Sequence, residues 1–159
     1  MFSLKSYKVL LLTALVFLNV GSCFGAPAGE ITLEDLNGQS HALSSYTGKP
    51  VILFFWTTWC PSCRSELNDL AQRSSDIAKE GIVLLGVDAG EPAYKVQRYL
   101  KGRQFDFPIL LDQEMDLVDK YDLFGVPTFV FINKEGRMVA KSHRLLPNYK
   151  DVLSRSLDR

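Results

Sequence analysis

Val51 to Trp56 reads "VILFFW", six apolar residues without a break, preceded by Gly48-Lys49-Pro50 and followed closely by Cys60-Pro61-Ser62-Cys63. A strand apolar at alternate positions can keep one face in water. A strand apolar at every position has to be covered on both faces, as the inner strands of layered α/β sheets are. This run therefore predicts a sheet with helices on either side, and a strand-to-helix passage at the cysteines.

The rest of the chain supplies the layers. "ITLEDLNGQSHALSSY" alternates briefly, then carries Asn37-Gly38 between two strand-like pieces, which predicts a hairpin. Beyond the cysteines, Leu67, Leu70, Ala71, Ile77 and Ala78 recur at helical spacing, with Gly81 placed to end that helix. "IVLLGVD" is a second buried strand. Ala93, Val96, Tyr99 and Leu100 mark an amphipathic helix with Pro92 at its first position. "FPILLD" reads as a short strand and "MDLVDKYDLF" as a short helix. "TFVFIN" and "RMVAKS" form a hairpin around Lys134-Glu135-Gly136. A last helix begins near Asn148, with Tyr149, Val152, Leu153, Ser156 and Leu157 on one face. The expected architecture is one α/β domain with a mixed sheet flanked by helices.

The first residues belong to a different kind of segment. Lys5 and Lys8 precede an apolar run from Val9 to Val20, and Gly21, Ser22, Gly25, Ala26 and Ala28 follow. A basic start, a greasy centre and a small-residue exit make residues 1–25 a secretory signal peptide, with the domain occupying 26–159. The run is short for the ~20 residues a membrane-spanning helix needs. "VGSC" also resembles a bacterial lipobox, which would make Cys23 a lipid anchor; otherwise Cys23 leaves with the signal. The expected location is the periplasm or the extracytoplasmic face of a membrane. The whole chain carries 18 basic and 18 acidic side chains, and removal of the signal leaves 16 against 18. That balance offers nothing to a polyanion, so no nucleic-acid partner is expected.

If everything through Gly25 is lost, Cys60 and Cys63 are the cysteines that remain. So short a loop constrains little chain, which makes the pair a chemical feature more than a staple. A structural zinc site needs four ligands, and His41 and His143 lie far from the pair in sequence. Haem attachment needs histidine directly after the second cysteine, where Arg64 stands. Disulfide exchange suits the local physics. Pro61 is tolerated at the first position of a helix, which puts Cys60 at the helix's positive end, where free N–H groups favour a thiolate. An inert buried pair is the alternative that the pattern leaves open.

"VILFFWTTWCPSCRSEL", with "LFGVPTFVFINKEGRMV" further on, resembles the thioredoxin-like superfamily, and within it the exported TlpA/ResA-like branch. "DLNGQSHALSSYTGKPVILFFW" is similar to that branch's leading hairpin, and a strand-helix segment is inserted before Gly-Val-Pro-Thr. The resemblance implies a thioredoxin fold, Cys60 as nucleophile, Cys63 as resolving cysteine, and a cis peptide before Pro127. It implies that a substrate strand pairs with the backbone of Val126, with Trp59, Pro61 and Ser62 also at the substrate face. Glu91 matches the position of an acid/base glutamate, a role that calls for a raised pKa. No cofactor is implied beyond the Cys60–Cys63 disulfide.

Two departures stand out. Phe54 occupies the place, six residues before the first cysteine, of the buried aspartate of thioredoxins proper. Pro61-Ser62 lacks the histidine that strong oxidants carry between their cysteines, which leans towards a reductant. The resemblance thus implies a thiol-disulfide oxidoreductase that reduces protein disulfides and is recharged by a membrane or exported reductase. Apocytochrome c is the client class it suggests. Thiol peroxidase is one alternative: Thr57 is placed as in peroxiredoxins, but Leu53 stands where those need proline. A copper chaperone is another, although such proteins usually space their cysteines wider and add a well-placed histidine.

Overall fold

The computed structural model describes residues 31–155. The expected signal peptide, its cleavage point and Cys23 lie outside the described residues, as do Ser156 and Leu157. Seven strands form one sheet in the order β2-β1-β5-β4-β3-β6-β7. They are β1 (Thr32–Asp35), β2 (Ser40–Ala42), β3 (Val51–Trp56), β4 (Val83–Ala89), β5 (Ile109–Asp112), β6 (Thr128–Ile132) and β7 (Met138–Ser142). The helices are α1 (Pro61–Lys79), α2 (Ala93–Leu100), α3 (Asp116–Lys120) and α4 (Tyr149–Leu153). Among the described residues no helix is long and apolar enough to cross a membrane.

The uninterrupted apolar run becomes a central strand. β3 pairs parallel with β4 and antiparallel with β6, and all six of its residues are buried. Alternation along it builds two cores. Ile52, Phe54 and Trp56 face α1 and α2 together with Leu67, Leu70 and Val96. Val51, Leu53 and Phe55 face the other side with Leu85, Val87, Leu117 and Val118. The mixed sheet with helices on both faces is as the sequence predicts.

The punctuation residues also act as read. Asn37-Gly38 turns β1 into β2, with Gly38 at a positive φ of 78°. Gly81 follows α1 at φ 75°, its N–H reaching Ala78 O while Ile82 N–H reaches Ile77 O, a Schellman ending. Two details differ from expectation. Pro92 is the residue before α2, not its first, because its ψ of 143° is extended and the helix starts at Ala93. Leu43–Tyr46 forms a short 3₁₀ turn that the sequence pattern did not announce.

Gly86 has a packing reason. A Cβ there would lie 2.7 Å from Ile109 Cδ1, 3.4 Å from Phe107 and 3.6 Å from Trp56 Nε1. Its absence leaves the Ile109 side chain room against β4. We expect Gly86→Val to destabilise the fold by about 1–3 kcal/mol, measured by urea unfolding. Wild-type stability in the variant would show that this contact relaxes freely.

Candidate active site

β3 ends at Trp56, and a four-residue loop, Thr57 to Cys60, leads into α1. Cys60 is the N-cap of that helix and Pro61 its first residue. Cys60 and Cys63 are joined in a disulfide with Cα atoms 5.2 Å apart. Cys60 Sγ accepts the Cys63 N–H at 3.2 Å and lies 3.4 Å from Ser62 Oγ. A sulfur in this place sits on the unpaired N–H groups of a 19-residue helix. When the disulfide opens, those donors stabilise a thiolate on Cys60. Cys63, one turn in, is fully buried.

The second wall comes from the loop before β6. The Val126–Pro127 peptide is cis, and Val126 O lies 3.9 Å from Cys60 Sγ. Thr128 Oγ1 donates to Gly125 O, and His143 Nδ1 lies 2.9 Å from Pro127 O, so the residue just after β7 helps hold this loop. Pro61 and Ser62 are exposed beside the disulfide. Trp59, next to Cys60, and Phe124, two residues before Val126, are 63% and 91% exposed, which is unusual for side chains of this size. Trp56 is wholly buried, its ring 5.9 Å from that of Tyr99.

The structure brings Glu91 to this loop from the segment between β4 and α2. Its carboxylate accepts the Thr58 N–H at 2.5 Å and the Thr58 hydroxyl at 2.9 Å, and it pairs with Lys95 at 3.1 Å. Arg64 holds the same loop from α1, donating from Nε to Thr58 O at 2.9 Å. Burial pushes the Glu91 carboxyl up, but Thr58, Lys95 and Asp88 outweigh it and hold Glu91 below the ordinary glutamate range. The raised carboxyl is its neighbour. Burial first, then the charge and hydrogen bond of Glu91, push Asp88 up to about 8, against the pull of the Glu91 N–H and Lys95.

Asp88 and Thr58 are not singled out by the sequence, and Arg64 and His143 enter there only in weighing haem and zinc. For Asp88 a signal existed: an aspartate inside the apolar run "IVLLGVD", three residues before Glu91. The other three are brought in by folding, from a loop, a helix and the segment after β7. The two histidines lie apart. His41 is tied to Asp35 and Tyr46 in the leading hairpin. Among the described residues, no three His, Cys, Asp or Glu side chains gather as metal ligands.

A mixed sheet of this order, with a Cys-Pro-x-Cys disulfide heading the helix after its central strand and a cis-proline opposite, defines a thioredoxin-fold protein of the CxxC type. The chain belongs to the AhpC/TSA family, whose sequence model matches residues 24–141. It is 36% identical over 115 residues to thiol-disulfide oxidoreductase ResA of Bacillus subtilis (strain 168), a match taking in 72% of this chain and 64% of that protein. This chain thus spans less than two thirds of that relative's length. Among solved structures it is similar to the pneumococcal exposed lipoprotein thioredoxin (Etrx1) of Streptococcus pneumoniae strain TIGR4. That similarity has a TM-score of 0.68 and 27% identity, over 77% of this chain and 99% of the other. StoA of Bacillus subtilis is similar at a TM-score of 0.62 and 25% identity, over 73% and 90% of the two chains.

Proposed function

We propose that the protein is a thiol-disulfide oxidoreductase that reduces disulfides in other proteins outside the cytoplasm. The observation that carries this is the placement of Cys60 Sγ. It caps a long helix, is bonded to a buried Cys63 one turn in, and lies beside the Val126 carbonyl. In the dithiol form, the Cys60 thiolate attacks one sulfur of a target disulfide. A Cys60–target bond forms and the other target sulfur leaves as a thiolate that takes up a proton. Cys63, losing its proton, then attacks Cys60 Sγ and expels the second target thiolate. Two electrons pass to the target and the Cys60–Cys63 disulfide is regenerated. A membrane or exported dithiol reductase returns the pair to its reduced form.

The backbone at Val126 is set to pair with an extended stretch of the target, as a strand added to an edge would be. Trp59, Pro61, Ser62 and Pro127 complete that face. The likeness to ResA extends the proposal to haem-binding cysteines of apocytochrome c as clients. The likeness to an exposed lipoprotein thioredoxin supports an extracytoplasmic site of action. A signal peptide over residues 1–25 belongs to this proposal, with Cys23 either removed with it or kept as a lipid anchor.

The test is reduction of a model protein disulfide by the pre-reduced chain. Cys60→Ser is expected to reduce nothing above background, and Cys63→Ala to accumulate covalent mixed disulfides when the protein is exported. A folded Cys63→Ala variant that captures no partner would overturn the reading. Copper titration with and without Cys60, and peroxide consumption by the reduced chain, separate exchange from the chaperone and peroxidase alternatives.

A further inference from the structure

Two acids meet in the interior beside the cysteines. Asp88 is fully buried in β4, opposite Trp56 of β3, and Glu91 is buried three residues on. Gly86 faces Trp56, so Asp88, two residues further along the strand, faces the same layer as Trp56, Cys60 and Cys63. Asp88 Oδ1 accepts the Glu91 N–H at 3.1 Å. Its other oxygen, Oδ2, is buried with no partner among the described residues. Oδ2 is thus left without a donor in a buried pair, and a proton placed on it would bond to the neighbouring Glu91 carboxylate, whose charge also raises the proton affinity of Asp88. Two ionised carboxylates cannot bond; one proton on Asp88 makes it the donor and Glu91 the acceptor.

We infer that Asp88 is a positioning residue of the exchange site: it carries a proton, donates it to Glu91, and so keeps Glu91 ionised and clamped on Thr58, two residues before Cys60. The inference rests on the exchange reading for its consequence and on the carboxyl geometry for its existence. A buried carboxyl with no cation of its own keeps its proton at neutral pH, and here the value near 8 agrees. The groups around the pair are few. The β4–α2 loop presents Glu91, and α2 presents Lys95 and the buried Tyr99 hydroxyl. From α1 come Cys63 and Arg64, whose guanidinium lies 5.4 Å from the Tyr99 ring centroid. β3 presents Trp56 and β5 Leu111. Asp112 of β5 is engaged elsewhere, accepting the N–H groups of Leu117 and Val118 at the start of α3.

The chemistry predicts a sign. As pH rises through about 8, Asp88 loses its proton and two carboxylates confront each other. Glu91 is pushed off Thr58, and the loop carrying Cys60 loses its inner anchor. Asparagine at 88 keeps both contacts at every pH, since its amide donates to Glu91 while its oxygen accepts the Glu91 N–H. Leucine keeps neither.

The test has a spectroscopic arm and a kinetic arm, both on the full chain. Infrared spectra of the oxidised protein should show the carbonyl stretch of a protonated carboxyl at about pH 6, fading through about pH 8, and lost in Asp88→Asn. The kinetic arm is alkylation of Cys60 by iodoacetamide in the reduced protein, divided by its thiolate fraction. We expect this rate to fall about ten-fold on the alkaline side in the wild type, the worth of one charge-assisted hydrogen bond. Asp88→Asn should flatten that fall, and Asp88→Leu should be low at every pH. A protonated band that persists in Asp88→Asn, or asparagine and leucine behaving alike, overturns the inference. The expected band and kinetics in a chain that reduces no disulfide would support the carboxyl pair while sinking the exchange reading.

Discussion

Asp88→Asn should be about as stable as the wild type at pH 4 and on the order of 4 kcal/mol more stable at pH 8, by urea unfolding across that range. The unfolded chain releases the Asp88 proton near the ordinary value of 3.8, whereas the native protein keeps it up to about 8. Between those values the native state binds the extra proton, so wild-type stability must fall as pH rises. The slope is at most about 1.4 kcal/mol per pH unit, and it levels off above the native value. Asparagine has no proton to lose, so the slope due to this residue disappears. Parallel curves for the two proteins would mean that Asp88 is already ionised in the native state, and would remove the proton from the site. A buried acid that weakens the fold at the pH of use suggests a functional reason for its presence, since a neutral isostere fits the same hydrogen bonds.

The second large effect is at Phe54. This ring is completely buried, aligned with Gly86 on one side and Phe129 on the other, with the Phe129 ring centroid 4.8 Å away. It belongs to the same packed layer as Cys60, Cys63 and Leu67. Phe54→Ala is expected to cost about 3–5 kcal/mol, because a rigid sheet centre cannot close over the space left. Phe54→Asp should be worse, since it would bury a carboxylate among apolar side chains. Phe54→Leu, which refills most of the volume, should lose far less. A cost for alanine below about 1 kcal/mol would show that the layer beneath the disulfide is loosely packed. The aromatic pair also explains how this chain does without the acid that thioredoxins proper carry at this point. Apolar packing takes the position, and the buried proton is held one strand over, on β4.

Much of this was legible in the chain because it rests on local rules. An apolar run at every position has to be an inner strand. Gly38 and Gly81 punctuate because few other residues tolerate their positive φ. Pro61 heads a helix because it has no N–H to waste, and that alone puts Cys60 at the helix's positive end. What concerned Glu91 was half legible: its position could be matched to a motif, but its charge state could not. Spacing placed it near a helix start and left its pKa to a balance of opposing effects. In the fold, Thr58 and Lys95 reach Glu91 from outside its own segment or one turn along α2, and they tip the balance towards the ionised form.

The sequence by itself determined the sheet's central strand, the helix that follows it and the sulfur at their junction, since each depends on neighbours a few positions away. Only the tertiary structure decided which acid keeps a proton, because that turns on burial and on hydrogen bonds between Thr58 and Glu91, 33 residues apart. The same holds for the Val126 carbonyl beside Cys60 and for His143 behind Pro127, both of which reach the site from segments distant in the chain. Short-range backbone preference is written in order along a chain. Solvation and electrostatics are properties of what surrounds a group in space, and that exists once the sheet has closed.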